Sequence, residues 1–374
     1  MNILMLNYEF PPIGGGASNY TFNLLKEFSK YDTVSLDLIT SSSEDLYEKI
    51  PFSDNVNIYR LPINKKDEFH WTQKEIISYS VKCYYLIKKI MKEKKFDLIH
   101  AIFGIPSGLI AYLYRKKIPY IVSLRGSDVP GFNKRFSFHY LMLKPIIRRI
   151  WKNARIIIAN SQDLKSLAQR TSKDVKIDII PNGVNISEFH PSDHNKNKNP
   201  IILTIARLTK RKGVDDLIKA IPMIVKYQDS IKVRIIGGGK EEKKLKKLAR
   251  KADVFQYVDF TGHMPYEGIS RHYSSADIFV LPSRNEGMSN TILEAMASSL
   301  PIITTDTGGA NELIAENGII IPKNNPYAIA NAILSLLNDH KLIREMGKKS
   351  RHIAGRNSWE YVAKKYLDVY KTSI

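Results

Sequence analysis

The sequence predicts an α/β protein of two doubly wound domains, and three observations carry that prediction. Short β-branched runs alternate with amphipathic helical patterns along all 374 residues, the pattern of parallel sheets covered by helices on both faces. The alternation breaks at 190-HPSDHNKNKNP-200, which is polar, proline-bounded and without apolar period, as a linker is. It then restarts. A first domain is therefore expected over 1–189, a linker over 190–200 and a second domain over 201–357, followed by a helix over 358–374.

In the first half, strands are expected at 2-NILMLN-7, 34-VSLDLIT-40, 56-VNIYRL-61, 97-DLIHAI-102, 119-PYIVSL-124, 155-RIIIAN-160 and 176-KIDIIP-181. Helical patterns lie between most of them, the longest over 72–95. In the second half, strands are expected at 200-PIILTIAR-207, 232-KVRIIGG-238, 257-YVDFTG-262, 277-DIFVLP-282 and 301-PIITTD-306. Such sheets bind ligands at the carboxyl ends of their strands.

No apolar run approaches a membrane span, and the N-terminus reads as a first strand, not a signal peptide. The single cysteine, Cys83, excludes an internal disulfide and a cysteine-based zinc site. Its place in a helical pattern beside Tyr84 and Tyr85 gives it a structural role, and a cytoplasmic location is expected. The formal net charge is +20. Between Lys82 and Trp151, fifteen Lys and Arg stand against three acidic residues. Nucleic acid is disfavoured as the partner, because no helix-turn-helix, zinc spacing or aromatic RNA-binding motif accompanies the charge. An anionic membrane surface is the better reading, giving a peripheral protein on the inner face of the cell membrane. A plain solubilising excess is the alternative.

The chemistry concentrates in 284-RNEGMSNTILEAMASS-299. Glu286 lies in a loop after a strand, and Glu294 lies inside the next helix. Ser289 or Asn290 can cap that helix, whose start favours phosphate, and Gly287 allows close backbone approach. Carboxylates repel phosphate but accept hydrogen bonds from vicinal hydroxyls. A sugar–diphosphate–ribose ligand fits, with Glu286 on the sugar side and Glu294 on the ribose side. The alternative is a capped helix carrying two solvated acids. A second turn, 205-IARLTKRKGVDDL-217, gathers Arg207, Lys210, Arg211 and Lys212, cations suited to a diphosphate. A third, at Gly14, Gly15 and Gly16, follows the first strand and opens a helix. It lacks the spacing of either common nucleotide motif, but its backbone N–H groups suit an anion.

Taken together, Glu286–Gly287…Glu294, Arg207…Lys212–Gly213, Gly14–Gly16, 181-PNGVN-185, 261-TGHMP-265 and 358-SWEYVAKKY-366 resemble the retaining family 4 glycosyltransferases of the GT-B fold, over nearly the whole chain. The resemblance implies two Rossmann-like domains facing across a cleft, with the acceptor on the first and the final helix crossing back to it. It implies that Glu286 contacts the donor sugar, Glu294 the ribose, and Arg207 and Lys212 the diphosphate. The backbone of Gly287, Met288, Ser289 and Asn290 would line the same site. One departure stands at 123-SLRGSD-128, where Arg125 replaces a histidine that many members carry. Arginine cannot serve as a base at neutral pH, so Arg125 is left to stabilise the leaving phosphate. Asp128 is left to position, or to act as a turn aspartate.

The implied reaction is retaining transfer of a hexosyl unit from a UDP- or GDP-sugar to a hydroxyl of a glycan or lipid-linked glycan, as in cell-surface polysaccharide, lipopolysaccharide or glycolipid synthesis. No Asp-x-Asp motif occurs, so no metal and no cofactor are expected. Two rivals are a nucleotide-sugar epimerase of the same fold and a non-catalytic nucleotide-sugar or nucleic-acid binder.

Overall fold

The computed structural model describes residues 1–374 except 66, 69–70, 134–136 and 192–198, with the side chains of 137–139 also outside the description. The expected linker falls mostly on residues outside it. The described chain forms two compact units, Met1–Asn182 with Trp359–Ile374, and Gly183–Ser358.

The first unit contains strands β1 (Asn2–Leu6), β2 (Ser35–Ser42), β3 (Glu48–Ser53), β4 (Val56–Pro62), β5 (Leu98–Ile102), β6 (Tyr120–Ser123), β7 (Ile157–Ala159) and β8 (Ile177–Ile179). They form one sheet in the order β3-β4-β2-β1-β5-β6-β7-β8. All pairings are parallel except β3 with β4. Buried parallel strands need apolar residues on both faces, which is why β1, β5 and β6 are almost wholly buried. β3 is absent from the sequence prediction. It is a polar, proline-containing antiparallel edge (EKIPFS) with no fully buried residue, the kind of strand that periodicity does not reveal. Helix Gln73–Ile90 starts at a capping box of Thr72 and Glu75 and buries Cys83, whose thiol burial pushes up to about 12. The helix Trp359–Ser373 packs against helix Gly16–Phe28 and completes the core of this unit with Trp359, Tyr366 and Tyr370.

The second unit contains β9 (Ile201–Ile205), β10 (Lys232–Ile236), β11 (Val258–Gly262), β12 (Ile278–Leu281), β13 (Ile302–Thr305) and β14 (Gly318–Ile321). They form a parallel sheet in the order β11-β10-β9-β12-β13-β14. Successive side chains of a strand point to opposite faces. Accordingly Ile202, Val233, Ile235, Ile278, Val280 and Ile303 fill one core, while Leu203, Ile236, Phe279, Leu281 and Ile302 fill the other.

The sequence reading gives 183–189 to the first domain. In the structure these residues pack with the second. Val184 and Phe189 are buried in its core, and Phe189 sits edge-on to Tyr266 and Tyr273. Arg351 donates to the carbonyls of Ile186, Phe189 and Ala297 and fastens the segment down. The boundary moves because burial of one phenylalanine by distant tyrosines leaves no local pattern.

Candidate active site

Two loops at the carboxyl end of the second sheet meet. One follows β9 and carries Arg207 and the short 3₁₀ turn Lys210–Lys212. The other follows β12 and runs to helix Asn290–Ala297. Gly213 closes the first against the second. Its φ is +66, and a Cβ there would lie 2.0 Å from the Pro282 carbonyl oxygen, so only glycine allows the approach.

Across this junction Lys212 Nζ donates to Glu286 Oε2 at 2.7 Å, and Arg211 lies 4.0 Å from the same oxygen. Lys212 and Glu286 side chains are only 11% and 13% exposed. Burial alone would push the Glu286 carboxyl up, but Lys212 and Arg211 outweigh it and hold it below the usual range. Glu286 is an ionised acceptor paired with the cation expected to face the diphosphate. Arg207 is exposed at the end of β9, and Lys210 and Arg211 are exposed in the turn.

Glu294 lies on the inner face of helix Asn290–Ala297 and is buried. The Tyr273 hydroxyl donates to its Oε2 at 2.6 Å. Burial pushes its carboxyl up to about 7, Glu188 adds to the rise, and the Tyr273 hydrogen bond partly offsets it. Two solvated acids on a capped helix do not describe this pair. Ser289 stands at the N-cap, but its side chain makes no capping bond; its hydroxyl meets that of Thr291 at 3.0 Å instead. The first turn is therefore not closed by a cap. Met288 and Ser289 are buried behind it. Gly308 closes against this loop, where a Cβ would fall 2.1 Å from the Gly287 carbonyl oxygen.

In the first unit, Gly14, Gly15 and Gly16 stand between β1 and helix Gly16–Phe28, with no side-chain cap at Gly15. The Gly14 N–H is already donated to the Glu68 carbonyl at 2.8 Å, which removes it from the anion donors the sequence suggested. Arg125 is likewise engaged. Its guanidinium stacks 3.5 Å over the Tyr20 ring and donates to Asn182 Oδ1 at 3.0 Å and to the Tyr366 hydroxyl at 3.2 Å. These partners make Arg125 a tie between the 125–128 loop, helix Gly16–Phe28 and the C-terminal helix. Asp128 accepts from the backbone N–H groups of Gly104, Arg125 and Gly126 at 2.8–3.0 Å, so it holds the loop. The network continues from Tyr366 to Ser123 Oγ, to buried His100, and on to the Tyr370 hydroxyl. Burial, and then Arg125, hold the His100 imidazole well below its ordinary range.

The sequence reading missed Tyr273, Gly308 and Arg284. A serviceable clue existed only for Arg284, two residues before Glu286 and opposite the Asp215–Asp216 doublet of the facing loop.

Two family models match consecutive stretches of the chain: Glycosyltransferase Family 4 over residues 14–188, and Glycosyl transferases group 1 over 185–353. Among full-length relatives, an uncharacterised glycosyltransferase of Methanocaldococcus jannaschii is 29% identical over 99% of this chain and 98% of its own. A GDP-mannose-dependent monoacylated alpha-(1-6)-phosphatidylinositol monomannoside mannosyltransferase of Corynebacterium glutamicum is 23% identical over 99% and 97%. Among solved structures, sucrose-phosphate synthase of Thermosynechococcus elongatus superposes with a TM-score of 0.85 at 21% identity, covering 100% of this chain and 98% of that one. That likeness makes the fold GT-B.

Proposed function

The chain belongs to the group 1, family 4 glycosyltransferases, and we propose that it transfers a hexosyl unit from a UDP- or GDP-sugar to a hydroxyl of a glycan or lipid-linked glycan, with retention. The observation that carries this reading is the Lys212–Glu286 pair across two loops, with Glu294 buried in the helix behind. Lys212 and Arg207 take the diphosphate, Glu286 orients the sugar, and Glu294 accepts from ribose hydroxyls. In the reaction the bond from the anomeric carbon to the diphosphate oxygen breaks. The acceptor oxygen bonds to that carbon on the same face, and its proton passes to the departing phosphate. Charge gathers on the diphosphate in the transition state, where fixed cations are most effective. Because one relative is by name GDP-mannose-dependent and acts on a phosphatidylinositol mannoside, GDP-mannose and a lipid-linked acceptor are the first pair to test.

The experiment incubates UDP- and GDP-sugars with the protein, with and without a lipid acceptor, and measures free nucleoside diphosphate. Acceptor-dependent release supports transfer. An epimerase alters the sugar and leaves the diphosphate bond whole, and a binder releases nothing. No metal enters this reading: the motive is the missing Asp-x-Asp motif beside Arg207 and Lys212.

Peripheral attachment to anionic lipid through the first unit is part of the same proposal. No helix among the described residues is long and apolar enough to cross a membrane. Helix Gln73–Ile90 instead presents Ile77, Val81 and Tyr85 at four-residue spacing, 62%, 50% and 64% exposed, with exposed Lys88, Lys89, Lys92 and Lys95 at and beyond its end. Lys94 is spent on Asp37 at 3.1 Å. At the amino ends of β6 and β7, Arg115, Lys116, Lys117, Lys152 and Arg155 line a depression of ≈ 650 Å³. A basic face with an apolar stripe suits a surface of anionic headgroups.

A further inference from the structure

Arg284 has a contact pattern unlike the other cations of the donor loops. Its backbone N–H donates to the Arg211 carbonyl at 2.7 Å, and Arg211 returns a bond from its guanidinium to the Asn285 carbonyl at 3.2 Å. The Arg284 guanidinium then spends all five of its N–H donors. Nη1 and Nη2 donate to the two Asp215 carboxylate oxygens at 2.9 Å each. The remaining donors reach Asp216 Oδ2, the Lys210 carbonyl and Asn324 Oδ1, each at 2.5 Å. Asp216 is nearly buried, its side chain 4% exposed, and Arg284 is 26% exposed, so water screens this junction less than an ordinary surface pair. A guanidinium with every donor committed has none left for a phosphate. It fixes geometry instead: the turn that ends in Lys212 is laced to the loop that holds Glu286, two residues from Arg284 itself.

We propose that Arg284 is the positioning residue of the donor site, locking the 210–216 turn to the 283–287 loop so that Lys212 and Glu286 meet the donor in register. This rests on the donor-site reading of Lys212 and Glu286. The planar fork is essential to it. Lysine keeps the charge but carries three donors on one point and cannot span the acceptors.

The test compares the full chain with Arg284→Gln and Arg284→Lys by two measurements. Amide hydrogen exchange should quicken together in peptides covering 207–216 and 283–290 in both variants, with β9 and β12 unchanged. Titration with UDP and with GDP should show about a tenfold loss of affinity for whichever the native chain binds, the scale of one charge-assisted hydrogen bond. In a Lys212→Ala background, Arg284→Gln should cost less than about twofold more, because two changes acting through one contact are not additive; a general loss of stability would cost the same in either background. Unchanged exchange, or equal losses with and without Lys212, overturns the proposal. A native chain that binds neither UDP nor GDP overturns the donor-site reading and the positioning role with it. Native binding that Arg284→Gln leaves intact overturns the positioning role alone.

Discussion

The carboxyl ends of the two sheets are built from similar materials and come out differently. In the first unit Arg125, Asp128 and His100 are charged or titratable groups in the interior, and each is answered by the protein itself. Arg125 has Tyr20, Tyr366 and Asn182, Asp128 has three backbone N–H groups, and His100 has Ser123 and Tyr370. In the second unit Glu286 accepts from Lys212 at 2.7 Å, with Arg211 at 4.0 Å. Glu294 accepts from the Tyr273 hydroxyl, and burial pushes its carboxyl up to about 7. A network tied by several partners is scaffold, because any ligand would have to displace them. One with fewer partners has more capacity left for a ligand. By that measure Arg125 and Asp128 hold the first unit together, and the proposed donor site falls to the second.

The comparison breaks most visibly under substitution. Arg125→Ala should destabilise the protein by about 3 kcal/mol, the cost of opening a buried charged network, read as a fall in the unfolding midpoint. The affinity of the surviving folded protein for nucleotide should be unchanged. If Arg125→Ala leaves stability intact and abolishes turnover, the two regions have been assigned the wrong way round. Glu286→Ala should do the opposite: kcat falls about 100-fold, as for loss of one group acting on developing charge, with nucleoside diphosphate affinity and melting nearly native. Glu294→Ala comes next, with a ten- to hundredfold weaker hold on donor and on free nucleoside diphosphate, from one charge-assisted hydrogen bond of about 1.5–3 kcal/mol.

The pH dependence separates the regions by sign. His100 is held neutral in the folded state, so the unfolded chain binds its proton first, and stability is lost as pH falls below about 6.5. Glu294 is held protonated up to about 7, while the unfolded chain gives up that proton near 4.5. Stability on this account is lost as pH rises from about 4.5 to 7, by at most about 1.4 kcal/mol per pH unit. Glu294 is faced by Tyr273, Tyr266 and Glu188. Melting curves of Glu294→Gln and His100→Gln should each flatten one limb; flattening of neither would remove both assignments. The smallest expected effects are outside the units' cores. A chelator should leave turnover unchanged, and loss restored by Mg²⁺ or Mn²⁺ would refute that. Flotation with anionic vesicles should weaken with salt and with charge reversal at Lys88 and Lys92, each Lys contributing on the order of 1 kcal/mol. Equal binding to neutral vesicles ends the membrane proposal.

What could be read in the sequence follows the range of the forces involved. Buried parallel strands are apolar in nearly every position, so β1, β5, β9 and β12 stand out of the string. The loops of the candidate site are local too, since Lys212 and Gly213, and Glu286 and Glu294, sit close together along the chain. The edge strand β3 is invisible because it buries little. The role of Arg125 is invisible because its partners, Asn182 and Tyr366, are 57 and 241 residues away. An arginine in place of a histidine, at a position tied by resemblance to chemistry, reads as a reagent until those partners are known. The near-neutral carboxyl of Glu294 depends on how deeply its helix face is buried and on Tyr273, 21 residues upstream, and neither is a property of the E-x7-E spacing.

The C-terminal helix Trp359–Ser373 also sets an order of events in biosynthesis. It belongs to the first unit but leaves the ribosome after the whole of the second. Until it arrives, His100 and Ser123 lack Tyr370 and Tyr366, Arg125 lacks one of its acceptors, and Tyr20 and Phe28 lack the rings that cover them. The second unit, contiguous from Gly183 to Ser358, has no such wait. The nascent chain therefore holds all of its second unit before it can complete the core of its first, and a chain stopped before Trp359 leaves His100, Ser123 and Tyr20 without those partners.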